Sequence, residues 1–269
     1  MIANIGGHAF EWGSRTYVMG IVNVTPDSFS GDGLGDDLDR AAMQGMRMVH
    51  EGADFLDVGG ESTRPGHVAI TAGEEISRTG DVVRRLSRES GVPVSIDTYK
   101  LEVAEAGVAA GATILNDIWG LTRSPAIANL AAKHECALVV MHNQDGTEYT
   151  GDLMAEIKRS LRESARLAVE AGVPPEKVII DPGIGFGKTA DQNWVVMRRL
   201  EELKELGFPI LVGTSRKSFI GKLLDLPVGE RVEGTAATVA AAVLRGADIV
   251  RVHDVEAMTR VARVADQMR

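Results

Sequence analysis

Short apolar runs rich in β-branched residues recur along the whole chain, at 17–22, 55–58, 92–96, 113–115, 137–141, 178–180, 210–212 and 249–252. Each is of strand length and nearly continuous in hydrophobicity, the pattern of parallel strands covered on both faces rather than of alternating edge strands. Behind the runs lie longer segments with apolar residues at helical spacing: 37–51, 73–90, 101–110, 125–134, 153–171, 190–206, 231–245 and 255–268. Gly52, Gly111, Gly172, Gly207 and Gly246 stand just past five of these segments, where a helix closes on a residue that takes the left-handed conformation. This alternation predicts an α/β fold, a closed (β/α)8 TIM barrel, with an open doubly wound sheet as the alternative. No stretch rich in Pro, Gly or Ser interrupts the pattern, so residues 1–269 are read as a single domain, with 1–16 an N-terminal stub that pairs or packs across the barrel's bottom.

The residues that end the runs carry the chemistry. In order they are Asn23, Asp57, Asp97, Asn116 with Asp117, His142 with Asn143, Asp181, Gly213 with Thr214, and Arg251 with His253. A barrel brings such positions together at its C-terminal face, where barrel enzymes place their sites. Asp and Asn also cap helices and start loops, but a polar residue at nearly every strand end exceeds what capping requires.

Three loops sharpen the expectation. Residues 23–33 (NVTPDSFSGDG) make a connection longer than a strand-to-helix turn needs. Residues 61–66 (ESTRPG) follow Gly59 and Gly60 and place Thr63 and Arg64 on the second loop, where an arginine suits bidentate capture of phosphate or carboxylate. Residues 213–221 (GTSRKSFIG) put Arg216, Lys217 and three hydroxyls in one turn, an anion site in an otherwise acidic protein.

Composition narrows the partners. A formal charge of −9 opposes a general nucleic-acid surface, which needs clustered cations to neutralise phosphates. Aromatics at 4% leave few platforms for stacking bases. One cysteine, Cys136, cannot form an internal disulfide and fits a reducing compartment. With no signal-peptide pattern and no apolar window of membrane-spanning length, the expectation is a cytoplasmic protein without a membrane partner.

Two phosphate motifs fail on inspection. Residues 182–189 (PGIGFGKT) look like the end of a P-loop, but proline occupies position 182 where that motif needs its first glycine. The dinucleotide pattern fails because Lys188 stands where its third glycine belongs. What remains is a glycine-rich loop behind Asp181 in which Phe186 can stack on a flat ligand or simply form a tight turn. The six histidines show no zinc spacing. Arg251 and His253 project from one face of a strand end and read as a diphosphate cradle, with Asn23 adding an oxygen ligand to Mg²⁺, which takes its other ligands from water and substrate phosphates.

In combination, residues 19–30 (MGIVNVTPDSFS), 57–66 (DVGGESTRPG), 94–98 (VSIDT), 116–117 (ND), 181–188 (DPGIGFGK), 215–221 (SRKSFIG) and 251–254 (RVHD) give a specific pattern. It resembles that of the bacterial dihydropteroate synthase family of folate biosynthesis, pterin-binding barrels. The resemblance implies a (β/α)8 barrel, commonly a homodimer, that joins 6-hydroxymethyl-7,8-dihydropterin diphosphate to 4-aminobenzoate, releases pyrophosphate, uses Mg²⁺, and is inhibited by sulfonamides competing for the aminobenzoate site.

Carried onto this chain, the resemblance implies pterin contacts at Asp97, Asn116, Met141, Asp181, Phe186, Gly213 and Lys217. It implies diphosphate contacts at Asn23, Arg64, Arg251 and His253, the first also toward the metal. The aminobenzoate would lie among Phe29, Thr63, Pro65, Phe186, Lys217 and Ser218, and the catalytic set would be Asp97, Lys217 and Arg64. It further implies a dissociative substitution: diphosphate departs first and the arylamine attacks the remaining pterin-methyl cation. No Ser-His-Asp or Cys-His grouping stands out, in keeping with electrostatic catalysis. Residues 142–149 (HNQDGTEY) depart from the family's usual Arg-Gly after Met-His, so a different local loop shape is expected there. Two rivals stay open: a pterin-binding corrinoid methyltransferase domain, which has no use for a diphosphate cradle, and a non-catalytic pterin-binding paralogue.

Overall fold

A computed structural model of the chain describes residues 1–24, 34–62 and 69–269, with backbone alone at 34–37. Two short strands, β1 (Ile2–Ile5) and β2 (His8–Glu11), pair as an antiparallel hairpin. The strands β3 (Tyr17–Asn23), β4 (Phe55–Gly59), β5 (Val94–Asp97), β6 (Ile114–Asp117), β7 (Ala137–Met141), β8 (Val178–Asp181), β9 (Leu211–Val212) and β10 (Ile249–Val252) form one 8-stranded sheet. All its pairings are parallel, in the order β8-β7-β6-β5-β4-β3-β10-β9. The ends meet through a parallel bridge between Ile180 and Ile210, with Ile180 N donating to Pro209 O at 2.9 Å. The expected barrel is therefore present.

Around it run α1 (Leu34–His50), α2 (Ala72–Glu89), α3 (Leu101–Ala110), α4 (Ala126–Lys133), α5 (Leu153–Glu170), α6 (Ala190–Arg198), α7 (Ser218–Leu224), α8 (Val232–Leu244) and α9 (Val255–Asp266). The five glycines expected past helix ends all lie at positive φ.

Period-two geometry explains why the strands read as continuous apolar runs. Outward side chains such as Val18, Leu56, Ile96, Leu115, Leu138, Ile180 and Val250 pack against the helices in one core. Inward ones at the strand starts, Tyr17, Met19, Phe55, Ile114, Val139, Ile179, Leu211 and Ile249, form a second core inside the barrel. Ala3, Ile5, Phe10 and Trp12 belong to that inner core, so the N-terminal stub is a hairpin plug. The Phe10 ring lies 4.4 Å from that of Phe55, and Trp12 Nε1 donates to Glu176 O at 2.9 Å. With the N-terminal end filled by apolar groups, the charged strand residues Asp57, Asp97, Asp181 and Arg251 lie toward the opposite end.

Two details differ from expectation. The helix read over 190–206 ends at Arg198 and continues as a 3₁₀ segment, Leu200–Leu206. The break falls at Arg199, whose guanidinium ties the N-cap Asp152 of α5 to Glu202. The segment read as a loop through 221 enters helix α7 at Ser218, directly after Lys217.

Candidate functional site

Strand parity decides which strand-end residues reach the barrel mouth. Phe55 points inward, so Asp57 does too; the same count sends Asp97, Asn116, Met141, Asp181, Gly213 and Arg251 inward from the strands that carry them. Asp117 and Thr214 have the opposite parity and structural duties. Asp117 accepts from Trp119 N at 2.8 Å and Leu121 N at 2.7 Å, and Thr214 Oγ1 accepts from Thr238 Oγ1 at 2.9 Å. The count of strand-end polar residues in the sequence therefore mixed site groups with loop caps.

The floor of the mouth is a charged network. Arg251 Nε donates to Asp57 Oδ2 at 2.6 Å and its Nη2 to Asp97 Oδ2 at 2.7 Å. Asn116 Nδ2 donates to the same Asp57 oxygen at 3.0 Å. This assigns the Asn116 amide: among the described residues its Oδ1 and second N–H are left for a ligand. Asp57 is fully buried, and its Oδ1 has no protein partner among the described residues. Asp57 is among the strand-end polar residues but has no substrate contact implied by the resemblance; its parity with Phe55 places it in the floor of the mouth. Arg251 and His253, read from the sequence as one cradle, have separate partners here. His253 Nδ1 lies 3.0 Å from Ser215 Oγ, which accepts from His253 N at 3.1 Å.

Asp181 ends β8 beside the glycine-rich loop. Its Oδ1 accepts from Gly183 N at 2.7 Å. Gly183 has φ +68°, and a Cβ there would meet His142 O at 1.9 Å, so this turn requires glycine. Lys217, at the N-cap of α7, reaches across to donate to Ile184 O, and its Nζ lies 4.3 Å from the centroid of the Phe186 ring. Ser218 follows it on the exposed first turn of α7. Of the two adjacent cations in this loop only Lys217 faces the mouth; Arg216 forms a fork with Asp254, at 3.0 and 2.5 Å.

Burial dominates the electrostatics. It pushes the Asp97 carboxyl up to about 7, with Arg251 opposing and Asp57 reinforcing the shift. Asp181 is pushed up by the same cause, against Gly183 N–H and the charges of Lys217 and Arg251. The Lys217 ammonium is pushed down to about 8 by burial, which the Asp181 carboxylate offsets. Arg251 is held above its ordinary range because Asp57 and Asp97 outweigh its burial. Burial thus raises the Asp97 carboxyl and lowers the Lys217 ammonium, bringing the two toward neutrality.

Asn23 closes β3 on the inward parity, half-buried. Among the described residues no group of three or more His, Cys, Asp or Glu is placed to hold a metal ion. Phe29, Thr63, Arg64 and Pro65 lie outside the described residues. The stretch holding the last three is flanked by Glu61 and Ile70, both tied to Lys100, whose Nζ donates to Glu61 Oε2 at 2.5 Å, Ile70 O at 2.7 Å and Glu75 Oε2 at 2.7 Å.

The comparisons with known proteins agree with one another. The family model described as pterin binding enzyme matches residues 19–253. A dihydropteroate synthase of Bacillus subtilis is 50% identical over 260 residues, covering 97% of this chain and 91% of the relative. Among solved structures, a Clostridium difficile dihydropteroate synthase crystallised in the presence of pteroic acid superposes with a TM-score of 0.94 at 49% identity, covering 96% of this chain and 98% of that one. A Xanthomonas albilineans dihydropteroate synthase with 4-aminobenzoic acid gives a TM-score of 0.93 at 40% identity, covering 99% of this chain and 97% of that one. Full-length likeness at this level, on a barrel whose mouth gathers the motif residues, means that this chain belongs to the dihydropteroate synthase family of pterin-binding enzymes.

Proposed function

We propose that this chain, acting as one unit over residues 1–269, condenses 6-hydroxymethyl-7,8-dihydropterin diphosphate with 4-aminobenzoate to give 7,8-dihydropteroate and pyrophosphate, in folate biosynthesis. The observation that carries the residue roles is the shared inward parity of Asp97, Asn116 and Asp181 at the barrel mouth, with the Lys217 ammonium in the field of Asp181 and Asp97. A pterin offers adjacent donors at its 2-amino group and N3–H; Asp181, whose Oδ1 keeps a lone pair after taking Gly183 N–H, accepts them as a pair. Asn116, oriented by Asp57, and Asp97 take the other edge. Met141, Phe186 and Gly213 supply flat or open surface to the ring, and Lys217 donates to it.

The reaction follows a dissociative course. The bond from the pterin methylene to the diphosphate oxygen breaks with its electron pair leaving on the diphosphate. The arylamine nitrogen then attacks the methylene carbon and passes its proton to the released pyrophosphate or to water. Asp97, once ionised, stabilises positive charge on the pterin, and Arg64, Arg251, His253 and Asn23 receive the diphosphate. Phe29, Thr63, Pro65, Phe186, Lys217 and Ser218 enclose the aminobenzoate, where sulfonamides would compete.

The donor set fits Mg²⁺: Asn23 Oδ1 offers one hard oxygen, and this ion keeps waters and takes the rest from phosphates. When bound, Mg²⁺ would neutralise the departing diphosphate. Purified protein mixed with Mg²⁺ and both substrates should yield dihydropteroate with pyrophosphate in equal amounts. Pterin binding without turnover would mean a non-catalytic paralogue, and methyl transfer from methyltetrahydrofolate would mean a corrinoid enzyme.

The chain is further read as a homodimer. Helix α8 is apolar around most of its circumference and ends on the exposed Leu244, while the exposed Leu223 and Leu224 close α7 and Val228 starts the 3₁₀ turn between the two helices. Light scattering at twice the chain mass would support this, and a monomer at micromolar concentration would refute it. A cytoplasmic location accords with the buried, unpaired Cys136 and the acidic charge, and no described helix is long and apolar enough to cross a membrane.

A further inference from the structure

Lys188 is a buried cation that the reaction as described leaves unused. It is the lysine that makes residues 182–189 look like a phosphate loop, yet its Nζ turns back into the protein. It lies 2.9 Å from His142 Nδ1 and 3.0 Å from the carbonyl oxygens of both Gly183 and Phe186. An ammonium has three N–H donors and no acceptor. In the ammonium form, whose pKa burial pushes down to about 7, these three partners use all of them, with His142 Nδ1 accepting and the imidazole proton on Nε2. Nothing is left to bind a substrate phosphate.

The two carbonyls belong to a loop pinned at almost every peptide group. Gly183 N is held by Asp181, Gly185 N by Asn193 Oδ1 at 2.6 Å, and Gly187 O by Tyr149 OH at 2.9 Å. Lys217 occupies Ile184 O on the side facing the mouth, and Lys188 occupies Gly183 O and Phe186 O on the side facing the core. The same turn is thus gripped between two ammonium groups, and the Phe186 ring is carried by a residue whose carbonyl, among the described residues, is held by Lys188 alone.

We infer that Lys188, anchored on His142, is a positioning residue for the arylamine half of the site: it sets the height of the Phe186 ring against Lys217. This inference rests on the assignment of Phe186 and Lys217 to the aminobenzoate subsite. Removing the three donors frees the Phe186 carbonyl to turn toward water, and the ring moves with it. The pterin carboxylates, on strands, stay where they are.

The test is steady-state kinetics of the full chain carrying Lys188→Met, with wild-type turnover measured alongside and thermal unfolding followed for both. The expected result is a rise of about tenfold or more in KM for 4-aminobenzoate, clearly larger than the rise in Kd for a free pterin, which Phe186 and Lys217 also touch but which the strand residues Asp97, Asn116 and Asp181 hold. A purely structural role would lower the folded fraction, reducing kcat while leaving KM unchanged, and that result overturns the inference. Should Lys188→Met fail to fold, Lys188→Gln keeps donors for the two carbonyls at shorter reach; its KM should rise severalfold, and an unchanged KM overturns the inference as well. An inactive wild type would instead remove the functional reading beneath it.

Discussion

Arg251 and Asp97, 154 residues apart in the chain, lie side by side in the barrel mouth, with Arg251 Nη2 donating to Asp97 Oδ2 at 2.7 Å. Asp57 claims the Nε edge of the same guanidinium at 2.6 Å. One cation is thus shared by two buried carboxylates, and Asp97 is only partly compensated.

A pH profile follows from that sharing. The Asp97 carboxyl is pushed up to about 7, so it is neutral below that pH and loses the charge needed to stabilise a pterin cation. Lys217 is pushed down to about 8, so above that pH its ammonium is lost. The kcat/KM of the free enzyme should be bell-shaped, falling on the acid side near 7 and on the alkaline side near 8, as macroscopic values of the coupled site. Asp97→Asn should remove the acid limb along with most of the rate. A flat profile from pH 6 to 9 would contradict the roles given to both residues.

Lys217→Ala should nearly abolish product formation while the fold persists, because Lys217 is the ammonium that bridges the glycine-rich loop and the mouth. A loss on the order of 10²–10³ in kcat is the scale for one preorganised donor. Circular dichroism should be unchanged, and wild-type turnover in this variant would take Lys217 out of the site.

Arg251→Ala should damage both stability and binding. It strands Asp57, fully buried, and Asp97, largely buried, at a cost of about 3–5 kcal/mol, the scale for leaving a buried charge uncompensated. Urea unfolding measures this, and adding Asp57→Asn to an Arg251→Met background should recover part of the loss. In calorimetry, diphosphate binding should weaken more than binding of a free pterin; equal losses would place Arg251 with the ring alone.

Trp12→Ala should separate stability from catalysis. The indole is buried in the plug at the end of the barrel opposite the site, bonded to Glu176 O. Truncation should cost about 3 kcal/mol or more, lowering Tm by roughly 6–12 °C. KM for either substrate should not change at 25 °C, and a shifted KM would show that the plug communicates with the mouth.

Much of this protein was legible in the chain because its signals are local. The strand runs, the glycines closing the helices and the strand-helix alternation that points to a barrel follow from period and spacing, and 137–141 and 249–252 match their strands residue for residue. The hairpin at 2–11 was visible only as a stub, since its apolar residues gain meaning against Phe55, far along the chain. Strand-end position alone does not separate Asp57, in the floor of the mouth, from Asp117 and Thr214, which hold loops, because parity matters only once each strand's inward face is known.

By itself the sequence determined the alternation of elements, the family, and which residue types crowd the strand ends, because periodicity and motif spacing are properties of neighbouring residues. Only the tertiary structure decided that Arg251 serves Asp57 and Asp97, that Arg216 turns to Asp254 while Lys217 reaches the mouth, and that Lys188 spends its protons on His142 and two carbonyls. A charged side chain can satisfy itself with any partner within a few ångströms. Which partner that is depends on closing the barrel, which brings together residues that the chain keeps far apart.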